Sequence, residues 1–579
     1  ARLAVSLAVA SASWHGSLAH ALAGAATGDA ADVAAQRGLR HARAACDPGA
    51  APPSGCAMRL TEGDGSDEEA PATAWATYAP AGAGGWPHIE VTTRSSADGS
   101  AGRDLTQEAF AAGLVEGALT CNELADYEYN VRQGTAPVSK EALTFIEEQD
   151  AFVRAEAARL SPTDEYWRAM SMVLAQFDGV LHGHNWYCPD KRLSKRRLLL
   201  LNLDGDLFDI MAAFPASADA MDLSASVPVE KFALRRRGQG RFARPTRCSA
   251  LFAMAPNTSD IFFGHDTWDT YAALGPRLMK TYSFGVQRNG RLLRHVDFFS
   301  SSPGYLSSVD DYYTIAGTSA LVVIETSLNV NNLAAYKSLA PRTVPCWMRV
   351  MVANMLAREP HDWTEVFKRL HSGTYNNQWM LLDVAMVPLA SKPLPGGGGP
   401  KSFFWVLEEA PGIIVAKDMT ALLLRQRYWP SFNVAYFPEI RQVIHETSSW
   451  TDDPRAQLFR DFKGRVVSLE GMKWVMGWND YKHSPIQDSD PTKAIMARAD
   501  LAGEGWGGLD SKVSSVSLYR TAMVTHARVG PTSDELPAFC WAKFKSAHKE
   551  VPHRGQPECF DFTWEAFWPG RAARPRIFV

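Results

Sequence analysis

Between Thr246 and Trp268 the chain reads TRCSALFAMAPNTSDIFFGHDTW. Two apolar runs, Ser249 to Ala255 and Ile261 to Phe263, flank the turn-forming residues Pro256, Asn257, Thr258, Ser259 and Asp260. Apolar runs of strand length joined by such a turn predict a β-hairpin. A turn centred near Asn257 and Thr258 sets Cys248 opposite Thr267, with His265 and Trp268 close by. Local geometry alone thus gathers a thiol, an imidazole and an indole. Just before the cysteine runs RRRGQGRFARPTR, Arg235 to Arg247, with six arginines, two glycines and a proline; this reads as an exposed loop.

A thiol becomes a nucleophile when a base takes its proton. His265 is one candidate. The other arises if the Arg247–Cys248 bond is cut. Cys248 then carries a free α-amine, whose ordinary pKa of about 7.7–8.0 suits it as the base for its own thiol. An exposed loop ending at the cysteine tolerates such a cut. The same residues equally suit a structural cysteine in a buried strand, a solvated arginine loop and a core histidine. Local sequence leaves both readings open.

The remaining chain narrows the class. Its 579 residues are 46% hydrophobic and 21% charged, enough for a sizeable core, and the net charge of -4 argues against a chain-wide nucleic-acid surface. No window of about 18 uninterrupted apolar residues exists, so no membrane span is expected. The opening ARLAVSLAVASAS resembles the remnant of a secretory signal. Residues 1–75, rich in Ala, Gly, Asp and Pro, read as that remnant plus a disordered leader. None of the eight cysteines forms a CxxC pair, which speaks against structural zinc and leaves disulfides as the use for an exported chain. If Cys248 is a working thiol, at least one of the other seven is unpaired or pairs between chains.

Along the chain, Gly85 to Thr93 reads as a strand and AGLVEGALTCNELADYEYNVRQ as one helix. A second helix is expected from Ser161 as N-cap, with Trp167, Met170, Leu174 and Phe177 forming its apolar stripe. KRLSKRR, Lys191 to Arg197, reads as a solvated turn before a strand. LLLLNLDGDLFDI, Leu198 to Ile210, reads as that strand, breaking at a hairpin turn. Thr318 to Ser327 reads as a buried strand, VPCWMRVMVANMLA as a helix, and Pro393 to Pro400 as a loop. His182 and His184 in HGHN have no partner ligands nearby, so neither metal nor cofactor is expected. Asn257 opens the one Asn-X-Ser/Thr signal and is a candidate glycosylation site.

Longer motifs carry a resemblance. RCSALF, NTSDIFFGHDTWDTY, SGTYNNQWMLLD, YWPSFNVAYFPEI and GMKWVMGWNDYKHSP closely resemble segments of the phospholipase B-like proteins, which are lysosomal or secreted hydrolases. The likeness runs through VEGALT, LNLDGDLFDI, GGLDSKV and GQPECFDF, covering roughly residues 80 to 570.

The resemblance implies an α+β fold, the four-layer αββα N-terminal-nucleophile hydrolase sandwich. It is split by cleavage at Arg247–Cys248 into chains 76–247 and 248–579 of one domain. It implies Cys248 as nucleophile, His265 and Trp268 as its neighbours, and Thr326 as a pocket residue. It further implies Asn433 as an oxyanion-hole donor, Arg460 as a pocket arginine, and Asn376 and Asn377 as substrate-binding residues. ETSLNVNN, Glu325 to Asn332, departs from the family spacing, so Asn329 to Asn332 receive no role. The implied activity is hydrolysis of acyl esters of (lyso)phospholipids in a lysosomal or secreted protein, a homodimer being one option. Alternatives are an amidase of the same fold and a catalytically silent lipid-binding protein. A papain-like protease is excluded by the missing Cys-Gly-Ser-Cys-Trp signature.

Overall fold

A computed structural model describes residues 38–63, 72–99, 104–134, 137–215, 247–389, 402–544 and 551–572. The first 37 residues, most of the arginine-rich loop and the Pro393 to Pro400 loop lie outside the described residues.

Two β-sheets organise the α+β fold. The larger has eleven strands in the order β13-β12-β11-β10-β9-β8-β7-β4-β3-β1-β2. Its first four are β1 (Arg40–Cys46), β2 (Cys56–Glu62), β3 (Ala74–Ala79) and β4 (His88–Thr93). The rest are β7 (Leu278–Arg288), β8 (Arg291–Ser301), β9 (Tyr312–Ala316), β10 (Leu321–Ser327), β11 (Asn377–Asp383), β12 (Phe404–Ala410) and β13 (Ile413–Asp418). The smaller sheet runs β14-β5-β6-β15-β16-β19. It comprises β5 (Arg247–Met254), β6 (Ile261–Thr270), β14 (Tyr428–Ser431), β15 (Trp506–Ser515), β16 (Thr525–Val529) and β19 (Glu565–Phe567). A ribbon of β17 (Phe539–Cys540) and β18 (Cys559–Phe560) stands apart.

The segments on either side of residue 247 share the larger sheet. Strand β4 pairs with β7 in parallel, Val91 opposite Tyr282. All other neighbouring pairs are antiparallel.

Helices cover the larger sheet. Helix α1 (Leu105–Leu119) packs on β1, β3 and β4, and α3 (Glu165–Tyr187) packs on α1. The two helices approach until backbones touch. A Cβ on Gly113 would lie 2.0 Å from the Gln176 carbonyl oxygen, and one on Gly183 would lie 2.1 Å from that of Leu114. Only glycine fits there.

The inward face of β5 and β6 carries Ala250, Phe252 and Phe263 into the main core. The outward face carries Leu251, Ala253 and Phe262 into a second apolar cluster. Helices α8 (Pro454–Phe462) and α9 (Leu469–Met476) close that cluster with Leu458, Phe459, Met472 and Met476. Gly264 of the GHDTW motif lets α9 approach: a Cβ there would sit 2.9 Å from both Met472 Cε and Met476 Cγ.

Several sequence expectations hold. β4, β10 and helix α6 (Cys346–Leu356) form where the apolar patterns place them. The stripe Trp167, Met170, Leu174 and Phe177 is buried. The β5–β6 hairpin has the expected register, Cys248 opposite Thr267.

Others are corrected. Residues 38–63 are ordered strands, not leader: Ala42, Ala44 and Cys46 turn inward on β1, and their small side chains admit α1. The long helix breaks after Thr120, and α2 (Cys121–Gly134) follows. Helix α3 begins three residues later than expected, because Asp164, not Ser161, accepts bonds from the Tyr166 and Trp167 amides at 2.8 and 3.4 Å. The run Leu198 to Ile210 is two helices, α4 (Lys195–Asn202) and α5 (Asp204–Ala213). Ser194 in KRLSKRR caps α4 by accepting from the Arg197 amide at 3.3 Å. A short apolar run fits either buried strand or buried helix, and here the cap and the acidic first turn of α5 favour helix.

Candidate functional site

Strand β5 begins at Arg247, so Cys248 sits at its head, 5% exposed. Two neighbours, Asn433 and Arg455, fix its backbone. The amide of Cys248 donates to Asn433 Oδ1 at 3.1 Å. The Cys248 carbonyl accepts from Arg455 Nη1 at 2.7 Å. The same Nη1 reaches Asn433 Oδ1 at 3.0 Å, while Nη2 donates to the Phe432 carbonyl at 2.5 Å. The Arg455 guanidinium lies 4.6 Å above the Trp268 ring, whose Nε1 donates to the Ile495 carbonyl at 3.0 Å. A planar cation stacked on an indole and forked onto carbonyls is held in one orientation. Asn433 itself is bent into the left-handed region at φ 66°, and its Nδ2 donates to the Ser327 carbonyl at 2.8 Å.

On the inward face the thiol meets two further groups. Cys248 Sγ, a ring nitrogen of His265 and a carboxylate oxygen of Glu325 all lie within 4.8 Å of one another. Both sheets contribute, Cys248 and His265 from β5 and β6, and Glu325 from β10. Neither ring nitrogen of the fully buried His265 makes a well-formed hydrogen bond, its polar contact being with the Glu325 backbone. Burial, with Lys512 adding repulsion, pushes the His265 imidazole well below its usual pKa, so it is neutral. Burial pushes the Cys248 thiol well above the usual range, and Glu325 and Asp310 push it further. In the continuous chain the sulfur therefore keeps its proton.

A chain of alternating charges borders the pocket. Arg277 pairs with Asp310 and, at 3.0 Å, with Asp510. Asp510 also pairs with Lys512, whose Nζ donates to Thr267 Oγ1 at 2.7 Å, directly across the hairpin from Cys248.

The expected site residues divide into two groups. Cys248, His265, Trp268 and Asn433 stand together. Thr326 lies one layer away, its Oγ1 2.6 Å from Ser431 Oγ, tying β10 to β14. Asn377, opposite Ser327 in the β10–β11 pair, is buried with no hydrogen-bond partner on its side-chain amide. Asn376 instead holds Asp209 and the Gly373 carbonyl, both at 3.0 Å. Arg460 does not reach the pocket: its side chain is 47% exposed, and it donates to the Thr451 carbonyl at 3.2 Å. On α8 the arginine that turns inward is Arg455, one and a half turns earlier. Asn433 also departs from its expected use. Its oxygen holds the Cys248 nitrogen and its amino group is bound to Ser327. His184 of HGHN is engaged with the Lys191 carbonyl at 2.8 Å.

Sequence reasoning missed Arg455, Glu325 and Lys512. Each left a trace. A charge inside an apolar strand (VVIETS, GGLDSKVSS) needs a buried partner, and Arg455 directly follows a helix-starting Pro454.

The pairing of the cysteines also emerges. Cys46–Cys56, Cys121–Cys188 and Cys540–Cys559 are disulfides, leaving Cys248 and Cys346 as buried thiols. Cys346 is thus the second unpaired cysteine that the count requires. No helix among the described residues is long and apolar enough to cross a membrane.

Comparison with known proteins places the chain in a class. The family model for phospholipase B matches residues 74–567. The chain therefore belongs to the phospholipase B family and is a hydrolase. Among its relatives is phospholipase B-like protein B of Dictyostelium discoideum, 31% identical over 503 residues, covering 83% of each chain. Phospholipase B of Crotalus adamanteus is 30% identical, covering 84% of this chain and 86% of its own. Phospholipase B-like 1 of Homo sapiens is 31% identical, covering 84% and 85% respectively.

Proposed function

We propose that the chain is an N-terminal-nucleophile hydrolase of the αββα type that cleaves its own Arg247–Cys248 bond and then opens acyl ester bonds of (lyso)phospholipids with the Cys248 thiol. The observation that carries this reading is the placement of Cys248. Its nitrogen is held by Asn433, and its sulfur faces the buried, neutral His265.

In the first step the Sγ proton passes to His265 and the sulfur bonds to the carbonyl carbon of Arg247. The carbon–nitrogen bond then breaks, and the nitrogen of Cys248 takes the proton and leaves as an amine. Water opens the resulting thioester, returning the thiol and leaving a carboxylate on Arg247. Strands from both sides of the cut share the larger sheet, so the two pieces stay associated.

In the second step the α-amine is the base. With an ordinary pKa of about 7.7–8.0 it is matched to the task near neutrality. Asn433 Oδ1, which accepts from the amide before the cut, accepts one amine hydrogen afterwards and so orients the nitrogen. The thiolate attacks the acyl carbonyl, the leaving alcohol takes the proton from the amine, and water clears the thioester. Thr326, Asn377 and Trp268 shape the walls, and Arg455 anchors the strand that carries the nucleophile.

The three disulfides support an oxidising compartment, so the protein is assigned to the lysosome or the exterior, with Asn257 as glycosylation acceptor.

Intact-mass measurement and N-terminal sequencing after incubation at mildly acidic pH test this directly. A new N-terminus at Cys248, on a fragment that co-purifies with its partner, is the expected result. A single uncut chain under every condition would sink the self-processing reading. Lysophospholipid and N-acyl amide supplied side by side then separate esterase from amidase.

A further inference from the structure

We propose that Cys248, His265 and Glu325 form a binding site for a soft divalent cation, Zn2+ above all, in the uncut chain. The donor set is a thiol sulfur, an imidazole nitrogen and a carboxylate oxygen, the three side-chain ligand types that Zn2+ takes in proteins. All three donor atoms are buried and lie within 4.8 Å of one another. Zinc bonds of about 2.0–2.3 Å in tetrahedral geometry put ligand atoms about 3.3–3.8 Å apart, so the trio needs to close by about 1–1.5 Å at most.

A second observation points the same way. His265 is 0% exposed, and neither ring nitrogen makes a well-formed hydrogen bond, its polar contact being with the Glu325 backbone. An imidazole in that condition lacks what water would give it, and a metal bond supplies it. Local charge also permits a cation. The basic groups that act on His265, Lys512 and Arg277, are already paired with Asp510 and Asp310, and Arg455 is forked onto carbonyl oxygens.

The second buried thiol provides the contrast. Cys346 Sγ lies 3.9 Å from Glu409 Oε1, but Glu409 is already ion-paired to Arg349 at 3.0 Å. A protein cation fills the place a metal would take there.

Binding exchanges the thiol proton for the metal: the sulfur–zinc bond forms, the sulfur–hydrogen bond breaks, and the proton goes to solvent. The bound sulfur has its lone pair committed to the metal. If the self-processing reading also holds, the cation keeps the precursor uncut until it is removed. The binding site itself does not depend on that reading.

The test uses the full chain, freed of metal with a chelator and titrated with Co2+ as a spectroscopic stand-in, then with Zn2+. The expected result is one equivalent of Co2+ giving a sulfur-to-cobalt charge-transfer band in the near ultraviolet, displaced by Zn2+. Cys248→Ala abolishes the band, His265→Ala and Glu325→Gln weaken Co2+ binding at least tenfold, and Cys346→Ala leaves it intact. A second measurement needs no variant. Native mass spectrometry of the full chain should show one bound Zn2+ at one added equivalent. A wild-type chain without the band, a band that persists in Cys248→Ala, or a wild-type mass unchanged by Zn2+ would overturn the proposal. An uncut chain that still shows the band retains the metal site while removing the self-processing mechanism, so the two failures are distinct.

Discussion

Cys248 and Cys346 are both buried thiols pushed well above their ordinary pKa, in each case chiefly by burial. Their surroundings differ in kind. Around Cys346 the polar groups close on one another. Its amide donates to Asp206 at 3.1 Å, and Glu409 accepts from Arg349 and from Trp379 Nε1, each at 3.0 Å. Arg349 Nη1 also reaches the Phe367 carbonyl at 3.0 Å, with the guanidinium stacked 4.1 Å from the Phe367 ring. Around Cys248 the backbone is held, yet the inward-facing His265 makes no well-formed hydrogen bond, its polar contact being with the Glu325 backbone. A closed polar cluster specifies packing. A cluster with its backbone pinned and its imidazole poorly satisfied leaves polar capacity that packing alone does not use.

The largest expected effect separates the two thiols outright. Cys248→Ala should yield only the 579-residue chain, because no sulfur remains to attack Arg247. Cys346→Ala should process normally. Electrophoresis under reducing conditions reads both. A processed Cys248→Ala chain would remove the autocatalytic mechanism, and an uncut Cys346→Ala chain would erase the functional contrast between the sites.

The next effect strikes the closed cluster. Glu409→Gln leaves the Arg349 guanidinium buried without its counter-charge, and breaking one side of a buried ion pair costs about 3–5 kcal/mol. Urea unfolding of wild type and variant measures this. A loss below about 1 kcal/mol would mean that water or rearrangement relieves Arg349, and the cluster would not be closed in the sense argued.

A smaller effect compares two arginines on one helix. Arg455 is 4% exposed and forked onto Cys248, Phe432 and Asn433. Arg455→Met should cost about 1.5–3 kcal/mol, the worth of hydrogen bonds to a charged group. Arg460→Ala should stay within about 0.5 kcal/mol, as for most surface changes. Equal effects of the two would show that α8 is rotated from the orientation described.

That pair also marks how far the sequence was legible. The hairpin, its register and the family were readable because strand pairing across a short turn is local and the apolar runs are unambiguous. The choice between Arg455 and Arg460 was not. They lie five positions apart, about 140° around a helix, and motif matching does not say which side faces Cys248. Glu325 was hidden differently. It meets Cys248 only because β10 and β5 belong to facing sheets, a contact between residues 77 positions apart in the chain. The strands at Arg40 and Cys56 were masked by alanine, which buries well but gives a weak alternating signal. The Asn433 side chain does lie beside Cys248, while its donor and acceptor ends are the reverse of expectation, which only a three-dimensional hydrogen-bond network can decide.

The smallest effect is a pH slope, and its sign follows from whether a buried carboxyl has a cation. Burial opposes the charge on Glu409, but Arg349 and His371 outweigh it and hold Glu409 below its usual range. A depressed carboxyl stabilises the fold above its unfolded value and loses that contribution only as pH falls through the folded one, so Glu409 is silent near neutrality. Asp297 has no such cation. Burial pushes it up to about 8, and Asn354 Nδ2 donates to it at 3.0 Å. A raised carboxyl contributes fully below its unfolded value, near 4, and loses that stability as pH rises through 8. Unfolded histidines finish titrating near 6.5, so from pH 6.5 to 8 the carboxyl slope stands largely alone. Stability should fall with rising pH across that window by up to about 1.4 kcal/mol per unit for each such group. Asp297→Asn keeps an acceptor for Asn354 and should flatten the slope by one group's share. Urea midpoints at half-unit intervals decide it: a wild-type profile that is level or rising over this range would mean that Asp297 is ionised in the fold, and buried carboxyls with and without a cation would then not differ as described.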